Sequence, residues 1–192
     1  MNKTRVENLT DAIVAIILTI MVLEIKVPDT PRLSEILHDL PYLTAYAVSV
    51  IFIGVAWYNH HYMFSLVKKV NKKIFWVNNL WLFTMSLIPV AAAWVGRFMN
   101  STGPELFYLI IFISWSLAFF LLSKTIADQL QTENYQEAAK IKNMFIYRFL
   151  RSKWFPITSI IMVLGIFIFP PSGLLLGFLE LVVNGWKSPQ QG

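Results

Sequence analysis

From Ala12 to Leu23 the chain is apolar at every position except Thr19. Residues 5–27 as a whole can cross a bilayer if the charged opening, Arg5 to Asp11, sits at the inner boundary. On a helical wheel at about 100° per residue, Arg5, Leu9, Ala12, Ile16, Thr19, Ile20 and Leu23 fall on one stripe. Asp11 falls near the opposite side, where a buried carboxylate is expected. The stripe is a ladder of aliphatic side chains broken by one hydroxyl. Such a face suits contact with copies of itself around an axis better than contact within one chain.

The remaining sequence agrees with a membrane setting. The chain is 56% hydrophobic and 14% charged, with a mean hydropathy of +0.57 and a net charge of +5. These values exclude a typical soluble domain and indicate a polytopic membrane protein. Cysteine is absent, which removes disulfide, thiolate and Cys-ligated zinc chemistry. The positive balance fits loops beside anionic lipid, so no nucleic-acid partner is expected. Glu7 and Asp11 interrupt the first helix, and Glu24-Ile25-Lys26-Val27-Pro28 lacks a small-x-small cleavage site, so the helix reads as a retained span.

The expected fold is an all-α integral membrane protein of six transmembrane helices in a single domain, 1–192. The spans are placed at about 5–27, 41–67, 74–95, 105–127, 154–169 and 172–186, with a polar linker at 128–153 that is helical near 137–142. Pro89 should kink the third span, and Pro170-Pro171 should separate two short final helices. Of sixteen Lys and Arg residues, thirteen fall on one side; only Lys26, Arg32 and Arg97 fall on the other. This bias predicts that both termini are cytoplasmic.

Asp11 and the Asn59-His60-His61 run each lie roughly 10 Å inside their helix ends, at 1.5 Å per residue, and should meet at one depth. A carboxylate in a bilayer needs a partner, so Asp11 is expected to bond to His60, His61, Asn59 or a Trp N–H. Such a pair reads either as a clamp on the first helix or as a proton-sensitive latch, because histidine titrates near neutral pH. Adjacent histidines point about 100° apart on a helix, which disfavours a shared metal ion. Arg5 reads as an interfacial anchor or as a neighbour of the Asp11 network.

Arg5-x-x-x-Leu9-Thr10-Asp11, then an aliphatic span and Leu23-Glu24-Ile25-Lys26-Val27-Pro28, resembles the opening of the lysosomal potassium channel family, transmembrane protein 175, in its bacterial branch. The family signature there is Arg-x-x-x-Phe-Ser-Asp; this chain has Leu9 for Phe and Thr10 for Ser. Trp57-Tyr58-Asn59-His60-His61 is similar to the Trp-x-Asn-His-His of the second helix in bacterial members. The resemblance implies a potassium-preferring cation channel, not an enzyme, without a Thr-Val-Gly-Tyr-Gly filter. It implies a homotetramer in the bacterial plasma membrane, with helix 1 lining a central pore and no cofactor beyond permeating potassium. Carried onto this chain, the apolar gate falls at Ile16, with Ile20 and Leu23 further along and Thr19 as the selectivity hydroxyl. The rival readings are a secondary transporter, a proton-permeable leak pathway, a membrane enzyme built on His60 and His61, and an assembly subunit.

Overall fold

In hydrocarbon no water satisfies backbone amides, so a spanning segment must close its hydrogen bonds on itself. The chain meets this demand with helices throughout. The structure, a computed structural model, describes residues 2–25, 27, 30–32 and 34–186, and only the backbone of residues 35, 38, 180, 181 and 183–186. Lys26 and Asp29, two of the charges between the first two expected spans, lie outside the described residues, as does Lys187.

The first helix, α1 (Lys3–Leu23), starts where the Asn2 side chain accepts the Thr4 N–H at 3.0 Å. It buries Val6, Thr10, Val14, Ile17 and Met21, a three-and-four spacing that makes one narrow face. That face rests on α3 (Leu40–Ser65), α4 (Lys72–Met85) and α5 (Ile88–Arg97), while the short α2 (Ser34–His38) precedes α3. Lipid tails are as apolar as leucine, so this contact is held by close packing and hydrogen bonds rather than by escape from water.

The third span breaks as Pro89 predicts, three residues upstream. Proline at the first turn of α5 donates no N–H and its ring crowds the preceding turn, so α4 ends at Met85 and α5 resumes at Ile88. Thr84 and Ser86 fill part of the gap by donating their hydroxyls to the carbonyls of Trp81 and Phe83, at 2.9 and 2.7 Å. The axial helix is α6 (Thr102–Glu133), against which α4, α5, α7 (Tyr135–Asn143), α8 (Phe145–Arg151), α9 (Trp154–Ile168) and α10 (Ser172–Trp186) all pack. At 32 residues it runs past the expected end at residue 127. Polarity does not stop a helix when side chains pair along it: Gln129 donates to Glu133 one turn on, and also to the Lys69 carbonyl, both at 2.9 Å. The expected polar linker is therefore almost wholly helical.

Among the described residues, fewer helical runs than the six expected spans have the full length to cross a bilayer alone. Four helical runs have the length and apolarity of spans: α1, α3, the broken pair α4–α5, and α6. A fifth arises if α8 and α9, bent 73° to each other, are taken together. The helices α9 and α10 have 15 residues each, about 22 Å, against a hydrocarbon core of about 30 Å.

One close approach sets the C-terminal end of α1. A Cβ on Gly96 of α5 would stand 2.6 Å from the Cα of Tyr42 in α3, and the Tyr42 hydroxyl donates to the Met21 carbonyl at 2.8 Å. Backbone meets backbone there, so a methyl group has nowhere to go. Gly96→Ala is expected to destabilise the protein by about 1–3 kcal/mol through overpacking. A thermal melt of the purified protein in detergent reads this, and an unchanged midpoint would show that α3 and α5 can separate freely.

Candidate functional site

The face of α1 away from its core is the stripe picked out on the wheel. Arg5, Leu9, Ala12, Ile16, Thr19, Ile20 and Leu23 are all exposed on the single chain. Ile16 is 55% exposed, Ile20 43% and Leu23 81%. The Thr19 hydroxyl donates back to the Ile16 carbonyl at 2.9 Å. Its proton is thereby used inside the helix, which leaves oxygen lone pairs for whatever stands outside. The stripe thus presents aliphatic layers with a hydroxyl acceptor between them.

Two sets of hydrogen bonds fix which way this stripe turns. The first is at the surface. The Trp57 indole N–H donates to the Asp11 carboxylate at 2.8 Å, and the Trp57 and His61 rings lie 6.1 Å apart. Of the partners expected for Asp11, the tryptophan is the one present. Asp11 itself is exposed on the single chain, not buried, because it sits on the flank of α1 beside α3 instead of beneath it. His61 is exposed as well.

The second set is fully buried. The Thr10 hydroxyl donates to the Val6 carbonyl at 2.9 Å, so it can only accept from Asn78, whose amide nitrogen lies 2.9 Å away. That settles the amide orientation and turns the Asn78 carbonyl toward His60 Nε2 at 2.8 Å. His60 must then carry its proton on Nε2 and donate it. Its ring is stacked between Phe64, at 4.2 Å, and Trp81, at 4.9 Å. This relay joins α1, α4 and α3 in one line. It also occupies the His60 nitrogen that faces α4 and walls in the ring on both faces.

The neighbours fall into place around these ties. Asn59 is buried and donates to the Val55 carbonyl at 2.8 Å, one turn back on its own helix. Arg5 points outward, and the ion pairs among the described residues are Lys3–Glu7 and Lys140–Glu137, so Arg5 does not reach Asp11. Among the described residues no three His, Cys, Asp or Glu side chains stand close enough to hold a metal ion.

Two features escaped the sequence reading. Asn78 was legible as a polar residue near the start of the third span but not as the centre of a relay. The Glu105 carboxyl is fully buried against the first turn of α10, where a Cβ on Gly173 would stand 2.8 Å from Oε2. Glu105 looks in the sequence like a span boundary, because only the fold shows that α10 returns to cover it.

The profile of a family described as "Endosomal/lysosomal potassium channel TMEM175" matches residues 5–89. A potassium channel of Chryseobacterium sp. (strain P1-3) is 37% identical over 195 residues, covering 100% of this chain and 95% of that protein. The crystal structure of a lysosomal potassium-selective channel TMEM175 homolog from Chamaesiphon minutus superposes with a TM-score of 0.81 at 26% identity, covering 98% of each chain. An endosomal/lysosomal proton channel TMEM175 of Homo sapiens is 28% identical over 118 residues, 55% of this chain and 23% of that one.

The two ties differ in what their loss should cost. Asn78→Ala leaves a buried N–H on His60 and a buried hydroxyl on Thr10 short of a partner, an expected loss of about 1–3 kcal/mol for each stranded group. Trp57→Phe removes one exposed bond and should lower stability less. Chemical denaturation of both variants in micelles measures the difference; equal losses would mean that the relay does not hold α1.

Proposed function

The chain belongs to the TMEM175 family, and on that footing we propose that it is a potassium-preferring cation channel whose pore is lined by the exposed stripe of α1 in a homotetramer. The family is one of ion channels, not of enzymes. The observation that carries the proposal is the stripe itself. Ile16, Thr19, Ile20 and Leu23 form a regular face that the rest of the chain leaves uncovered while two sets of hydrogen bonds hold it outward. Around a fourfold axis, four copies of Ile16 make a ring too apolar to hold water, and the pore closes by dewetting. Tilt or rotation of α1 widens the ring. Four Thr19 oxygens then offer a cation partial replacement for its water, and neutral oxygens bind weakly enough for release. Potassium is the permeant ion, and no resident cofactor takes part.

In the membrane, the bacterial plasma membrane in this reading, the lysine-rich side faces the cytoplasm and carries both termini. Leu23 then marks the outer end of the pore. Asp39, with Glu24, Tyr42 and Arg97, borders an open recess beside that end, where the carboxylates favour cations. A second reading has its own support: vertebrate relatives are named proton channels, and a hydroxyl-bearing pore that wets can also pass protons.

A bi-ionic reversal potential on purified protein in a planar bilayer tests the proposal. A potential displaced toward that of potassium over sodium is expected, and one that follows the pH gradient instead favours the proton reading. Ile16→Asn should hydrate the constriction and raise the current about tenfold or more, since removing roughly 1.4 kcal/mol of barrier gives a factor of ten. Thr19→Ala should reduce the preference for potassium. Wild-type currents in both variants would remove α1 from the pore.

A further inference from the structure

Away from the pore face, an apolar groove runs between α3 and α6 and ends on α8. Val55 and Ala56 of α3, Phe112 and Phe119 of α6, and Ile146 and Leu150 of α8 line it. From Phe119 to Phe112 the groove follows α6 for about 10 Å, at 1.5 Å per residue, which is room for a good part of an acyl chain.

The end of the groove is built for a different chemistry. Ile146 and Leu150 stand one turn apart on α8, and the opposite face of the same helix carries Arg148 and Arg151, both exposed. Lys153 and Trp154 follow at once, also exposed. From Ala138 to Leu179 the sequence contains no Asp or Glu. Among the described residues, neither arginine nor Lys153 forms an ion pair; the acidic group that α6 brings toward this end is Asp128, whose charge is felt at Tyr147 of α8. The 73° bend to α9 turns α8 toward the plane of the membrane surface when α9 enters the bilayer. An exposed tryptophan just past the bend suits that boundary. The two faces of α8 therefore match the two ends of an anionic amphiphile.

We propose that α8 seats an anionic phospholipid of the surrounding leaflet, with its phosphate against Arg148, Arg151 and Lys153 and one acyl chain laid in the groove between α3 and α6. The site is separate from the α1 stripe and does not depend on conduction.

The test is native mass spectrometry of the full chain in mixed micelles of phosphatidylglycerol and phosphatidylcholine. The wild-type protein is expected to retain phosphatidylglycerol in preference. R148Q/R151Q/K153Q should lower that retention by about fivefold per cation, and so by about a hundredfold in all. Ala56→Phe, which fills the groove, should lower retention of long-chain phosphatidylglycerol and spare the dihexanoyl form. The control K68Q/K69Q/K72Q removes as many charges from the loop between α3 and α4 and the first turn of α4, and should leave retention unchanged. Wild-type retention in R148Q/R151Q/K153Q overturns the proposal, as does an equal loss in the control, which would mean attraction by net charge alone. If the triple variant does not fold, Ala56→Phe decides: an unchanged preference between long and short chains overturns the groove as the seat of the tail.

Discussion

The rotation of α1 about its own axis is the constraint on which the rest depends. An unpaired polar group inside a membrane protein is costly, so Thr10, Asn78 and His60 must stay in register with one another. Each member of that line has one role left to it. Thr10 spends its proton on Val6, Asn78 must donate to Thr10, and His60 must donate to Asn78. A turn of α1 by one residue, about 100°, would carry Thr10 out of reach and bring Leu9 or Asp11 toward Asn78 in its place. The outward direction of Ile16 and Thr19 follows from this inner contact, not from anything on the outward face itself.

This explains how much the sequence disclosed. The stripe on α1 was visible because helical periodicity is a local property, and the same periodicity assigns the core face to Val6, Thr10, Val14, Ile17 and Met21. Trp57 was among the possible partners of Asp11 because both lie at one depth on adjacent helices. The pairing of His60 was not legible, since Asn78 reaches it from a third helix 18 residues away in sequence. Depth alone cannot say which of two neighbouring helices a side chain faces. Asp11 was expected to be buried because the wheel sets it opposite the stripe, yet the contact face of α1 lies to one side of that axis, so both the stripe and Asp11 remain outside.

The length of α6 was misjudged for a related reason. A run of polar residues normally ends a span, but α6 continues through Asp128 to Glu133 because α7 and α8 fold back on it. The bounds of α9 and α10, by contrast, were legible, because Pro170-Pro171 marks the break between them. Composition records which solvent a segment prefers, and only packing decides where that segment stops.

The ties on α1 are unevenly spread along it. Thr10 and Asp11 bind side chains of two other helices, whereas near the far end the side-chain link among the described residues is the hydroxyl bond from Tyr42 to Met21. The helix is thus a lever with its fulcrum in its N-terminal half. At 1.5 Å per residue, Leu23 stands about 18 Å from Asp11 and Ile16 about 8 Å. A swing of about 10° carries Leu23 by roughly 3 Å but Ile16 by little more than 1 Å. In the proposed pore Ile16 lies on the short arm and Leu23 on the long one, so a large excursion at Leu23 would be geared down to a fine adjustment at Ile16.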